Sequence, residues 1–210
     1  MSFEHIAPHY DWMERLLAGE RLQHMREAWL EKLKGCRRIL SVGEGHGRFA
    51  AACTARFPEA ELTCLDASPR MLAQARQRTL RPGENCRWVE ADILEWIQVE
   101  RYDAIVTCFS LDCFSPGQLA AVVAKLASCA TDEACWLVAD FAVPADGAAR
   151  WRAQLVHALM YGFFRIVTGL PARRLTPPDE LLRAQGFSLC GRRVTEWGLL
   201  QSDWWRRTGR

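Results

Sequence analysis

The sequence predicts an α/β domain with a largely parallel sheet and helices on both faces. Three observations carry this. The stretch Arg38 to Arg48, RILSVGEGHGR, runs from a short apolar strand through three alternate glycines into a helix start, the arrangement of a nucleotide-binding βα turn. From 39 to 143, strand-like and helix-like segments alternate, the signature of crossover connections between parallel strands. The length, 210 residues of which 50% are hydrophobic, suits one core.

Taken in order, residues 3–34 place Trp12, Leu16, Leu17, Met25, Trp29 and Leu33 at helix-compatible spacings. They read as two helices broken near Gly19, with Gly35 ending the second. Ile39, Leu40 and Val42 mark a strand at 38–42. Gly43, Gly45 and Gly47 form the turn, and a helix spans 47–56. Glycines here permit positive φ and close approach of a ligand to backbone. A second strand, 61–65, ends at Asp66, about twenty residues past the glycines, the distance of a ribose-binding acid. Strands at 86–90, 102–108 and 134–141 alternate with helices at 69–80 and 116–129. Ser68-Pro69 and Ser115-Pro116 are helix starts, each with a serine cap.

After Pro144 the pattern changes. Residues 148–170 are apolar-rich, with Trp151, Leu155, Leu159, Phe163 and Ile166 near one helical face. A short helix from Pro177 stops at Gly186. Two strands, 187–194 and 198–205, then form a hairpin turning near Glu196. The chain divides into a cap (1–34), a core (35–143), a helical insert (144–185) and a closing hairpin (186–210) of one domain.

The net charge of +2 gives no argument for a nucleic-acid partner. The pairs Arg192-Arg193 and Arg206-Arg207 read as solvated surface. Nine cysteines are scattered without a CxxC pair, so neither a zinc site nor a redox motif is suggested; buried free thiols in a reducing compartment are expected. The first residues carry acids and histidines and do not read as a signal peptide. No run is long and apolar enough for a membrane span. The expected location is the cytoplasm.

Four motifs, VGEGHG at 42–47, LDAS at 65–68, EAD at 90–92 and YDAIVTCFSLDCF at 102–114, resemble the class I S-adenosylmethionine-dependent methyltransferases. The spacing Gly-x-Gly-x-Gly favours them over the Gly-x-Gly-x-x-Gly of NAD-binding folds. IAPHYDWM at 6–13, and the order insert, helix, Gly-Phe, two strands, resemble the ubiquinone/menaquinone-type group. The resemblance implies a Rossmann-like, seven-stranded, mostly parallel sheet with an antiparallel closing hairpin. One position departs from the pattern: the acid the family often carries two residues before the first glycine is Ser41 here. Either Glu44, inside the turn, replaces it in part, or backbone carbonyls hold the methionine ammonium.

The resemblance also implies site roles. Gly43, Glu44, Gly45 and Gly47 would pack against the methionine and ribose of S-adenosylmethionine. Asp66 would accept hydrogen bonds from both ribose hydroxyls. Asp92 and the backbone of Ile93 would meet the adenine, with Ala67 and Met71 flanking it. The backbone of Cys108, Phe109 and Ser110 would lie by the methionine moiety. His46 would face solvent or pack near the ribose. Asp103, at the opposite strand edge, reads as structural. Asp112 would orient a substrate, act as a base, or be a plain loop carboxylate.

Methyl transfer is an in-line displacement and needs a base only where the acceptor loses a proton. His9 and Tyr10, with His5 and His157 behind them, are candidates. The insert would roof a pocket for a small, apolar or aromatic acceptor with Trp151, His157, Tyr161 and Phe163. S-adenosylhomocysteine would be the product. A homodimer is another way to cover the insert's apolar face. The competing readings are a non-catalytic S-adenosylmethionine-binding protein and an NAD-dependent oxidoreductase. No metal is expected.

Overall fold

The computed structural model describes residues 20–79, 85–98, 100–144, 151, 175–195 and 198–208. His5, His9 and Tyr10 of the cap, and His157, Tyr161 and Phe163 of the insert, lie outside the described residues.

Seven strands form one sheet: β1 (Arg38–Val42), β2 (Glu61–Asp66), β3 (Cys86–Glu90), β4 (Tyr102–Cys108), β5 (Ala130–Phe141), β6 (Phe187–Thr195) and β7 (Leu200–Arg207). Their order is β3-β2-β1-β4-β5-β7-β6. β1 to β5 pair in parallel, and β7 runs antiparallel to both β5 and β6. The predicted sheet and closing hairpin are both present. β5 starts earlier than its apolar run suggests, because Ala130 pairs with Tyr102 ahead of a register shift.

Alternate residues of the central strands enter two cores, as period-two patterning on a doubly covered sheet requires. Leu40, Ile105, Trp136 and Trp205 face the helix α4 (Pro116–Ser128) through Leu119, Val122, Val123 and Leu126. Ile39, Ala104, Val106 and Leu137 face the other way, against Phe49, Ala50 and Cys53 of α2 (Arg48–Arg56). Ser115 and Gln118 form the capping box of α4, the Ser115 N–H donating to Gln118 Oε1 at 3.1 Å. In α3 (Pro69–Thr79) the Ser68 hydroxyl accepts from the Met71 N–H at 3.3 Å. A short α5 (Asp179–Ala184) precedes β6.

Ahead of β1 the chain forms α1 (Glu20–Glu27) and then a 3₁₀ turn, Leu30–Leu33. The second predicted helix thus breaks before Gly35, whose φ is 89°. Trp29 stands at the break, and its indole N–H donates to the Ser202 carbonyl at 3.0 Å. The ring fills a notch over Gly191, where a Cβ would come within 2.6 Å of it. Docking on the hairpin overrides continuation of the helix.

The two arginine pairs remain at the surface but are engaged. Arg192 donates to both carboxylate oxygens of buried Asp203, at 2.8 and 2.7 Å, and to Asp179 at 2.6 Å. Arg207 donates to the Ala127 and Ala130 carbonyls at 2.9 and 3.0 Å. Asp103 accepts from the N–H groups of Arg37 and Arg38 at 2.9 and 3.1 Å, the structural role its edge predicts. The described cysteines are free and most are buried or partly buried; Cys190 is exposed. No described helix is long and apolar enough to cross a membrane.

Candidate functional site: a cavity at the glycine turn

The strand order changes direction between β1 and β4, where open α/β sheets bind ligands at their carboxyl edge. β1 stays beside β2 through the Gly43 N–H, which donates to the Leu65 carbonyl at 2.8 Å. Ser110, just past β4, donates its hydroxyl to the Val42 carbonyl at 3.1 Å. A Cβ on Gly43 would lie 2.4 Å from the Ser110 Cβ, so glycine is what lets the two strand ends meet. Gly45, at φ 60°, has open space where a Cβ would stand.

Gly47 differs from the ligand-facing role expected for it. It starts α2 at φ 83°, and a Cβ there would sit 2.6 Å from the Ala75 Cα. It lines no part of the cavity and serves the packing of α2 on α3.

Around this turn lies a cavity of about 440 Å³, a size for a small ligand. Its walls include Gly43, Glu44, Gly45, Asp66, Ala67, Met71, Asp92, Ile93, Cys108 and Phe109, all expected from sequence. His46 also lines it and is 2% exposed, so its side chain packs inward and does not face solvent. Its Nε2 accepts from the Arg48 Nε–H at 2.9 Å.

Asp66 is braced by its own turn. Oδ2 accepts from the Gly45 N–H at 2.8 Å and Oδ1 from the Ser68 N–H at 2.9 Å. Burial pushes its pKa up, while those backbone donors and His46 work against the shift. The Ala67 N–H also acts on this carboxylate; with about four acceptor sites in all, Asp66 keeps capacity for a ligand hydroxyl. At the far end Asp92 accepts from the Leu94 N–H at 2.9 Å. Lys125 ties this loop to α4 by donating to the Leu94 and Trp96 carbonyls.

Glu44 turns inward from the glycine turn. It is 8% exposed, accepts the Ser41 hydroxyl, and caps α2 by accepting the Ala50 N–H at 2.8 Å. An acid therefore stands over Ser41 although the strand itself carries none. Burial raises the Glu44 pKa to about 7, against the lowering effect of its two donors and of Arg26.

Phe109 has φ 54°, the one positive value outside glycine among the described residues, a conformation that costs bulky residues energy and recurs at functional sites. Its N–H donates to the Ala139 carbonyl at 2.7 Å. The ring meets Phe141 edge-on at 5.4 Å and carries the Arg26 guanidinium 5.0 Å from its centre.

Asp112 is in the 3₁₀ turn Leu111–Cys113 and is 7% exposed. It does not line the cavity; Cys113 does, with its Sγ 3.6 Å from Asp112 Oδ1. The Asp112 N–H donates to Asp140 Oδ2 at 3.2 Å. Burial first, and the Asp112 charge second, push the Asp140 pKa well up. The two acids are thus close neighbours in a buried setting. Trp151 is 68% exposed and off the cavity wall.

Ser110, expected beside Cys108 and Phe109, also lines the cavity; sequence reasoning missed Arg26, Cys113, Phe114 and Asp140. Arg26 offered no signal, since a basic residue on a charged helix reads as solvated. Asp140, an acid closing an apolar strand at the binding edge, did offer one.

Comparison with known proteins agrees with this geometry. A family model described as a methyltransferase domain matches residues 39–133. The demethylmenaquinone methyltransferase of Deinococcus radiodurans is 30% identical over 209 residues, covering 92% of this chain and 86% of that protein. The demethylmenaquinone methyltransferase of Thermus thermophilus is 40% identical over 94 residues, 44% of this chain and 43% of that one. The solved mitomycin 7-O-methyltransferase superposes with a TM-score of 0.71 at 19% identity, over 99% of this chain and 61% of that one, which establishes the shared fold. A relative 30% identical over 92% of this chain and 86% of its own length places the chain in the class I S-adenosylmethionine-dependent methyltransferase family, with the ubiquinone/menaquinone-type members.

Proposed function

We propose that the cavity takes S-adenosylmethionine and that the chain transfers a methyl group to a small apolar or aromatic acceptor, releasing S-adenosylhomocysteine. The observation that carries this is Asp66: a carboxylate at the end of β2, beside the open side of Gly45, with acceptor capacity left over from its backbone donors. That is what a ribose diol requires. Asp92 and Ile93 would meet the adenine, flanked by Ala67 and Met71. Gly43, Gly45, Glu44 and the backbone of Cys108 and Phe109 would hold the methionine tail.

S-adenosylmethionine supplies an activated methyl on a sulfonium, so the protein's task is to hold an acceptor in line and keep water out. Where the acceptor must lose a proton, His9, Tyr10 and Asp112 are the candidate bases. Asp112 would act with Asp140 as a pair able to hold a proton. Trp151, His157, Tyr161 and Phe163 would border the acceptor. Two of the similar proteins are demethylmenaquinone methyltransferases, which supports an apolar ring as acceptor. We further propose a cytoplasmic location and no nucleic-acid partner.

Calorimetry with S-adenosylhomocysteine and with NAD tests the cofactor. Binding of the first alone is expected; binding of NAD alone refutes the reading. Phe163→Ala tests the roof: turnover of an acceptor should fall while S-adenosylhomocysteine affinity holds. Binding without transfer to any acceptor in a quinol, phenol and amine screen would favour a non-catalytic role.

A further inference from the structure

The cavity's ionisable walls are unevenly signed. Glu44, Asp66 and Asp92 are acids, and His46 already accepts a hydrogen bond at Nε2. Among the described residues that line it, Arg26 is the single arginine or lysine. It is 8% exposed and stands over the Phe109 ring at 5.0 Å; Phe109 follows β4 and Asp92 follows β3, and β1 and β2 lie between those two strands. Its helix is held in place: Leu22 and Met25 of α1 are buried with Leu200, against Phe109 and Phe141. Glu44 is near enough to feel its charge, and both residues line the cavity, so a guanidinium and a carboxyl group face the same ligand space.

Resting on the reading of this cavity as the S-adenosylmethionine site, we propose that Arg26 recognises the α-carboxylate of the cofactor's amino-acid tail and so sets the direction in which the cofactor lies. The carboxylate is the ligand's one anionic group. A guanidinium presents five N–H donors in a planar fork that fits a carboxylate. Glu44 is the matching partner for the ammonium on the adjacent carbon. The strained Phe109 backbone turns its ring under the guanidinium, which adds cation–π attraction and limits the directions in which the side chain can point. Adenine then lies by Asp92, and the sulfur between the two ends.

The test compares S-adenosylhomocysteine with its decarboxylated analogue, S-adenosyl-3-thiopropylamine, by calorimetry. The analogue keeps the nucleoside, the sulfur and the ammonium. Wild-type protein should prefer S-adenosylhomocysteine by about tenfold to a hundredfold, the usual weight of a hydrogen bond to a charged group. In Arg26→Gln that preference should collapse while analogue affinity stays near wild type, which also reports that the variant is folded. Arg26→Lys keeps the charge without the fork and should retain part of the preference, giving a second reading should the glutamine variant not fold. A preference unchanged in either variant, or absent in wild type, overturns the assignment of Arg26. Wild-type protein that binds neither compound overturns the cofactor reading itself.

Discussion

Glu44→Gln separates the electrostatic role of the turn acid from its hydrogen-bonding role. The glutamine amide can accept from the Ala50 N–H with its oxygen and donate to Ser41 with its nitrogen, so the cap on α2 is preserved. What is lost is a titration. The Glu44 pKa rises from the ordinary 4.5 to about 7 in the folded chain, chiefly through burial. The sign follows from proton counting: between those values the folded protein holds a proton that the unfolded chain has released. The associated stability is fully present below pH 4.5 and is lost as the pH rises through about 7. At about 1.4 kcal/mol per pH unit, the span amounts to about 3 kcal/mol. Urea unfolding of both proteins from pH 4.5 to 8 measures it, because the other titrating groups are common to both and cancel in the difference. Wild type should lose about 3 kcal/mol relative to Glu44→Gln across that range. Parallel profiles would show that Glu44 is ionised throughout and that the burial argument fails. Saturating S-adenosylhomocysteine should flatten the wild-type slope, since a neighbouring ammonium stabilises the ionised carboxylate.

Two contrasts test other parts of the fold. Arg192→Ala leaves the Asp203 carboxylate, 1% exposed at its side chain, with Gln201 as its one side-chain donor among the described residues; unfolding free energy should drop by about 3 kcal/mol. Arg56→Ala removes an ion pair to Glu31 whose side chains are 54% and 63% exposed and should cost less than about 1 kcal/mol by the same assay. Gly47→Ala meets both a left-handed φ and the Ala75 backbone and should cost about 2 kcal/mol or more, with melting temperature as readout. Gly35→Ala has the left-handed φ without the neighbour and should cost about 1 kcal/mol. Equal losses at the two glycines would remove the close-packing explanation for Gly47.

The parts of this protein legible in the sequence are those encoded over short stretches. Apolar runs of strand length, Ser-Pro helix starts and alternate glycines each leave a local mark, because hydrogen bonding and burial within one element repeat with a short period. The strands expected at 38–42, 86–90 and 102–108 coincide with β1, β3 and β4. The acid closing β2 is marked by the apolar run it ends and by its distance from the glycines. Tertiary structure decided what each marked residue touches. Gly43 and Gly47 look alike in the sequence, yet one yields to Ser110 and the other to Ala75. Nothing near Arg26 in the chain announces Phe109, and Asp112 meets Asp140 only because β4 and β5 end side by side. Trp29 reaches Ser202, 173 residues away. Such contacts join positions whose separation follows no period, so they exist only once the sheet has brought its strand ends to one edge.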